Sequence, residues 1–268
     1  MDRDLPRDGR SLSDRHTPGG AHRGKDAPPA PGRGANGALL SDSRQTGTVV
    51  FTVTVTSLLV AALLGELAKT AAWTRIDVLI EEAVHGLRTP WLTVVADALR
   101  IAFLPEAAWG LCGVTVVVLL LLRRPGGALL TIAVFATSWG LNSFFKAAVA
   151  RPRPDPATQL DLQTGLTSFP SGHVAVTLAL VVVWCLAVAG TAAFRPVVAA
   201  GAVLVASQMF ARVYLGAHHP TDVVGALLVV GAASTAVIAV LAPLTHLDRH
   251  RTTTPDPPAH RSEPADPS

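Results

Sequence analysis

Seven side chains between Lys146 and Asp222 are of types that could do chemistry together: Lys146, Arg153, Ser171, His173, Arg212, His218 and Asp222. Lys146, Arg153 and Arg212 bring three positive charges to helix ends, and their repulsion calls for an anion to offset it. Arginine offers a planar fork matched to phosphate oxygens and lysine a compact charge, so phosphate is the natural anion. Pro170-Ser171-Gly172-His173 reads as a helix start. Ser171 is placed to cap it, Gly172 lets a ligand approach the backbone, and free N–H groups there favour negative charge. His218 and Asp222 stand four apart on a helix opened by Pro220. The carboxylate can then bond one imidazole nitrogen and leave the other as a nucleophile. Each feature has a plainer reading as an anchor at a span end, a simple cap or an acid complementing a helix dipole. Arg151 is read in that way, as an arginine snorkelling to lipid headgroups. The gathering of seven such groups favours chemistry over seven separate coincidences.

These residues need elements to carry them, and the distribution of charge says what the elements are. Half of the 268 residues are hydrophobic and only 15% are charged, against roughly 25% in a soluble globular protein. Fourteen Lys, Arg, Asp and Glu residues precede Thr48 and seven follow Leu244, leaving 20 for the 197 residues between. That middle segment has too little polar surface to coat a water-soluble body. Six apolar stretches divide it: Thr48 to Gly65, Ala107 to Leu122, Pro125 to Phe145, His173 to before Gly190, Pro196 to about Phe210, and Val223 to about Leu241. Each approaches the length of about 20 residues that crosses a bilayer. The expectation is an all-α integral membrane bundle of six transmembrane helices over residues 48–244. Residues 1–47 and 245–268 are polar and are expected to be disordered tails, with no apolar core of a cleavable signal peptide before Val49.

Six spans place both termini on one side and bring the seven residues to the other. Basic residues near the spans number seven on the terminal side and eight opposite. If Lys146, Arg153 and Arg212 are set aside as functional, the positive-inside rule puts the termini in the cytoplasm and the site on the extracytoplasmic face of the cell membrane. The long first connection holds Asp77 to Leu87, where Val78, Ile80, Ala83, Val84 and Leu87 alternate with Glu81, Glu82 and His85. That pattern suits an interfacial helix or a soluble cap over the site.

Other classes find less support. Basic residues are not massed among aromatics, so nucleic acid is not an expected partner. Cys112 and Cys185 fall in apolar runs and read as small hydrophobes. His218, His219 and Asp222 could suggest a metal site, but three nearby cations would crowd a divalent ion, so no metal or other cofactor is expected. His219 reads instead as a wetted interface residue.

The order and spacing of three motifs resemble the type 2 phosphatidic acid phosphatase and vanadium haloperoxidase superfamily. They are Lys146 with six residues to Arg153-Pro154, then Pro170-Ser171-Gly172-His173, then Arg212 with five residues to His218 and three more to Asp222. Ala211 departs from the pattern, standing where the family usually has serine. The resemblance implies that His218 attacks phosphorus, Asp222 orients it, and His173 protonates the leaving oxygen and then activates water. Lys146, Arg153, Ser171, the Gly172 N–H and Arg212 would hold the phosphoryl oxygens. The implied activity is hydrolysis of a lipid phosphomonoester or polyprenyl diphosphate at the membrane. A phosphotransferase, a vanadate-dependent haloperoxidase or a non-catalytic anion transporter would share the motifs. The sequence does not fix the oligomeric state.

Overall fold

The computed structural model describes the backbone of residues 33–163 and 165–251. Among these residues it is all-helical, with eight α-helices and one short 3-10 turn, Pro156–Thr158. The helices are α1 (Arg33–Leu67), α2 (Ala71–His85), α3 (Pro90–Ala102), α4 (Pro105–Leu121), α5 (Pro125–Val149), α6 (Gly172–Ala187), α7 (Phe194–Tyr214) and α8 (Pro220–Arg251). Proline opens α3, α5 and α8, where its missing N–H and fixed φ suit the first turn. Residues 33–47 and 245–251, assigned to tails by their polarity, continue α1 and α8 as helix, since extending a formed helix adds a hydrogen bond per residue. The remaining tail residues, 1–32 and 252–268, lie outside the described residues.

Each of the six apolar stretches lies in one helix, overrunning its end by at most two residues, but length separates them. Gln45–Leu67, Pro125–Val149, Phe194–Tyr214 and Pro220–Leu241 are long and apolar enough to cross a membrane. Helices α3 and α4 satisfy the same test only as a pair, bent by 58°. At 16 residues, α6 rises roughly 24 Å, short of the roughly 30 Å of hydrocarbon in a bilayer. The six-span expectation therefore reduces to four helices that qualify singly and a fifth span if the bent pair is one.

Helix α6 sits centrally, packed on α4, α5, α7 and α8, while α5 packs on α4, α6 and α8. The main core joins Phe135 of α5, Val174, Val176, Ala179 and Leu180 of α6, Val213 of α7, and Val223, Ala226 and Val230 of α8. Glycine permits the closest approaches. A Cβ on Gly201 of α7 would lie 2.4 Å from Val181 of α6, and one on Gly225 of α8 would lie 2.3 Å from the Phe169 ring. Helix α1 is the most outward-facing span, touching the bundle through Ala61 beside Phe145, Val149, Phe169 and Val229.

Two connections determine where the polar residues meet. The segment from α5 to α6 is pinned by Ser168, whose N–H donates to the Arg151 carbonyl at 2.8 Å and whose hydroxyl donates to that of Pro152 at 2.9 Å. The turn from α7 to α8 folds back on its own helix, with the Ala217 and His218 N–H groups donating to the Arg212 carbonyl at 3.1 and 3.3 Å. Gly216 makes this reversal possible at φ +72°, a conformation that glycine adopts without strain. The two connections are joined to each other. Leu160 N–H donates to the Leu215 carbonyl at 2.9 Å, and Ser171 N–H to that of Asp222 at 3.1 Å.

Candidate active site

The seven candidate residues converge on one end of the bundle. Lys146 closes α5, Arg153 follows in the connection, Ser171 and His173 begin α6, Arg212 ends α7, His218 occupies the turn and Asp222 starts α8. His218 lies in electrostatic reach of Asp222, Lys146 and Arg212, and His173 in that of Arg212, His218 and Arg153. Arg153 stands 3.5 Å from His218 Nε2 through its Nη1, which also donates to the Ala217 carbonyl at 2.8 Å. Lys146 Nζ donates to the Thr167 and Ser168 carbonyls at 3.3 and 3.4 Å, which holds the ammonium beside the start of α6.

Several of these groups are buried with their polar atoms unsatisfied. Arg212 is wholly buried, and none of its three guanidinium nitrogens makes a hydrogen bond within the protein. Its closest counter-charge is Asp161 Oδ2, 3.6 Å from Nη2 and equally far from Arg100 Nε. The Ser171 hydroxyl and His173 Nε2 are likewise buried without partners. Leaving a buried donor unpaired carries a full desolvation penalty, so these groups gain most from an anion that accepts from them. A phosphoryl group supplies acceptors for all of them. Ser171 does occupy the N-cap position of α6, but it makes no side-chain cap bond, so its hydroxyl stays available. A Cβ on Gly172 would meet only the Asn142 amide, at 4.0 Å, leaving open room at the helix start.

His218 is 2% exposed, and burial pushes its pKa down to about 3, with Lys146 and Arg212 adding to the fall and Asp222 opposing it. A neutral imidazole has a free lone pair and can act as a nucleophile. Asp222 Oδ2 lies 3.5 Å from His218 Nδ1, a close approach longer than a hydrogen bond, and the same oxygen accepts the His219 N–H at 2.9 Å.

The structure corrects two expectations around the site. Arg151 does not snorkel to lipid: it is 2% exposed and bridges Asp222 Oδ1 at 2.9 Å and Asp77 Oδ2 at 2.7 Å. Buried between two carboxylates, it has no reason to seek a headgroup. His219 is not wetted; it is 5% exposed and its Nδ1 hydrogen-bonds Glu81. On helix α2, Asp77 and Glu81 point inward to basic and hydroxyl partners, while Ile76, Val78, Leu79 and Ile80 are exposed. The helix packs on α7 and α8, beside the turn that carries His218.

Asp77, Glu81, Thr221, Arg151 and Asp161 are thus part of the surroundings that sequence reading missed. The one available signal was Asp77 and Glu81 at i, i+4 on an otherwise aliphatic helix. A cleft of about 450 Å³ lies beside these residues, lined by Lys69, Glu81, Arg151, Arg153 and His219 among others. Of the seven candidates only Arg153 lines it, so the cleft adjoins the candidate residues without containing most of them.

No curated protein matches the chain in sequence. Among solved structures it is similar to a transmembrane PAP2-type phosphatidylglycerolphosphate phosphatase from Bacillus subtilis. The TM-score is 0.60 at 24% identity over 74% of this chain and 96% of that one, which shows a shared fold. Residues 127–245, which carry all seven candidate side chains, match the family model described as the PAP2 superfamily. Family match and shared fold agree with the three spaced motifs, and over residues 127–245 the chain is similar to the PAP2 superfamily.

Proposed function

We propose that the protein is a multi-pass membrane phosphatase that hydrolyses a lipid phosphomonoester or a polyprenyl diphosphate without a metal ion. The observation that carries this reading is the buried, unbonded guanidinium of Arg212 in reach of the neutral imidazole of His218. Such a pair invites an anionic phosphorus centre. The membrane-crossing helices and the likeness to a PAP2-type phospholipid phosphatase favour a lipid over a soluble phosphoester.

In the proposed cycle His218 Nε2 attacks phosphorus as the bond to the leaving oxygen breaks, and His173 delivers a proton to that oxygen. Water then attacks the phosphohistidine, His173 takes its proton, and the N–P bond breaks to release phosphate and restore His218. Charge on the equatorial oxygens is met by Lys146, Arg153, Arg212, the Ser171 hydroxyl and the Gly172 N–H. The same cations would repel a divalent metal ion. By the charge argument, the termini are cytoplasmic and the site faces away from the cytoplasm.

Phosphate release from phosphatidic acid, phosphatidylglycerolphosphate and undecaprenyl diphosphate, each with a chelator present, tests the proposal. The wild type is expected to release phosphate from at least one of them and His218→Ala to release none. Activity surviving in the variant, or abolished by chelation alone, would overturn it.

A further inference from the structure

Helix α2 lies outside the stretch that matches the PAP2 superfamily, yet it grips the turn bearing His218 through two buried carboxylates. Asp77 Oδ1 accepts the Thr221 N–H at 3.1 Å and the carboxylate accepts the Thr221 hydroxyl at 2.8 Å. Its Oδ2 accepts Arg151 Nη2 at 2.7 Å, and Arg151 Nη1 in turn donates to Asp222 Oδ1 at 2.9 Å. One turn along α2, Glu81 hydrogen-bonds His219, whose N–H donates to Asp222 Oδ2. Each oxygen of Asp222 is therefore held by a residue that α2 itself holds.

Arg151 has both terminal nitrogens occupied and almost no exposure, so it is no ligand for phosphate. Two negative charges and one positive charge buried together are poor stabilisers, because desolvation offsets much of their attraction. Their geometry does fix one thing well: the plane of the Asp222 carboxylate. With Oδ1 anchored by Arg151, Oδ2 is the oxygen turned to His218 Nδ1.

We infer that Asp77 and Arg151 are positioning residues, which lock the Asp222 carboxylate so that His218 presents Nε2 to phosphorus. The inference rests on the reading of His218 as the nucleophile. Asp77 acts only through Arg151 and Thr221, and Arg151 only through Asp222, so the two form one chain of action from α2 to the imidazole.

The test uses full-length protein in detergent with dioctanoyl phosphatidic acid and dioctanoyl phosphatidylglycerolphosphate. Wild type, His218→Ala, Asp77→Asn, Arg151→Gln and the Asp77→Asn/Arg151→Gln double variant are compared. Each single variant is expected to lower kcat about 10- to 100-fold with KM within about twofold of wild type, as an orienting residue should. The double variant is expected to fall well short of the product of the two single losses, since both changes interrupt the path through Arg151 to Asp222. Should Arg151→Gln fail to accumulate, Arg151→Lys keeps the charge, loses the two-pronged bridge and is expected to show the same fall in kcat. Wild-type kcat in Asp77→Asn, losses that multiply in the double variant, or a change confined to KM would overturn the inference. Those results alongside an active wild type and a dead His218→Ala would defeat it alone. A wild type inactive on both lipids, or an active His218→Ala, would defeat the nucleophile reading and this inference with it.

Discussion

Arg212 makes the most exacting demand of any single residue in the site. A fully buried guanidinium whose one counter-charge among the described residues, Asp161, stands 3.6 Å away keeps donors free for a ligand, so its value should appear in the reaction more than in the fold. Arg212→Gln is expected to lower kcat/KM by about 10²- to 10³-fold, the scale seen when a transition-state donor is removed. Arg212→Lys should recover only part of this, because a point charge does not reproduce the fork; steady-state kinetics on a lipid phosphate check both. His218 carries a pH consequence. Its folded pKa of about 3 lies below the ordinary 6.5, so between those values the unfolded chain binds a proton that the folded one does not. Stability contributed by this group is thus present above pH 6.5 and falls as pH is lowered toward 3. His218→Asn should flatten the drop in Tm across that window relative to wild type. At this scale the sequence disclosed the seven residues that the fold gathers at one end of the bundle, because their types and spacing are legible before folding. It concealed Arg151, whose partners Asp77 and Asp222 sit 74 and 71 positions away and could be found only by folding.

Among the elements, the turn from α7 to α8 does the most with the fewest residues. Gly216 holds φ +72°, and a Cβ there would lie 2.8 Å from the Thr158 carbonyl oxygen and 3.0 Å from Gln159 Cα, both backbone atoms. Backbone cannot swing aside as a flexible side chain can, so Gly216→Ala combines a strained φ with a clash. The change is expected to cost about 1–3 kcal/mol and lower Tm, while moving His218 enough to reduce kcat. Thermal unfolding and turnover of the one variant measure both. Helix α2 teaches the opposite lesson about reading elements. Its alternation of aliphatic and acidic residues is faithful to a helix lying at a boundary, but pattern alone assigns acids to the wet side. Partners on α8 and in the connection after α5 reverse that choice, turning Asp77 and Glu81 inward.

For the molecule as a whole, the scarcity of charge between residues 48 and 244 made the membrane legible from composition, and each apolar stretch lies in one helix, overrunning its end by at most two residues. The number of spans was less legible, since a charge-free run does not fix where a helix begins or ends and says nothing of bends. The chain bends by 58° between α3 and α4, where Pro105 opens the second helix, and α6 ends after 16 residues. On the proposed reading, this bundle brings an imidazole to phosphorus beside the three cations Lys146, Arg153 and Arg212. Brief mixing of the membrane-embedded protein with ³²P-labelled lipid phosphate, followed by alkaline quench and peptide mapping, tests it directly. Label is predicted on His218, stable to base, released by acid and missing from His218→Ala. Label on another residue, or wild-type turnover with none captured on His218 at quench times down to a single turnover, would contradict the account.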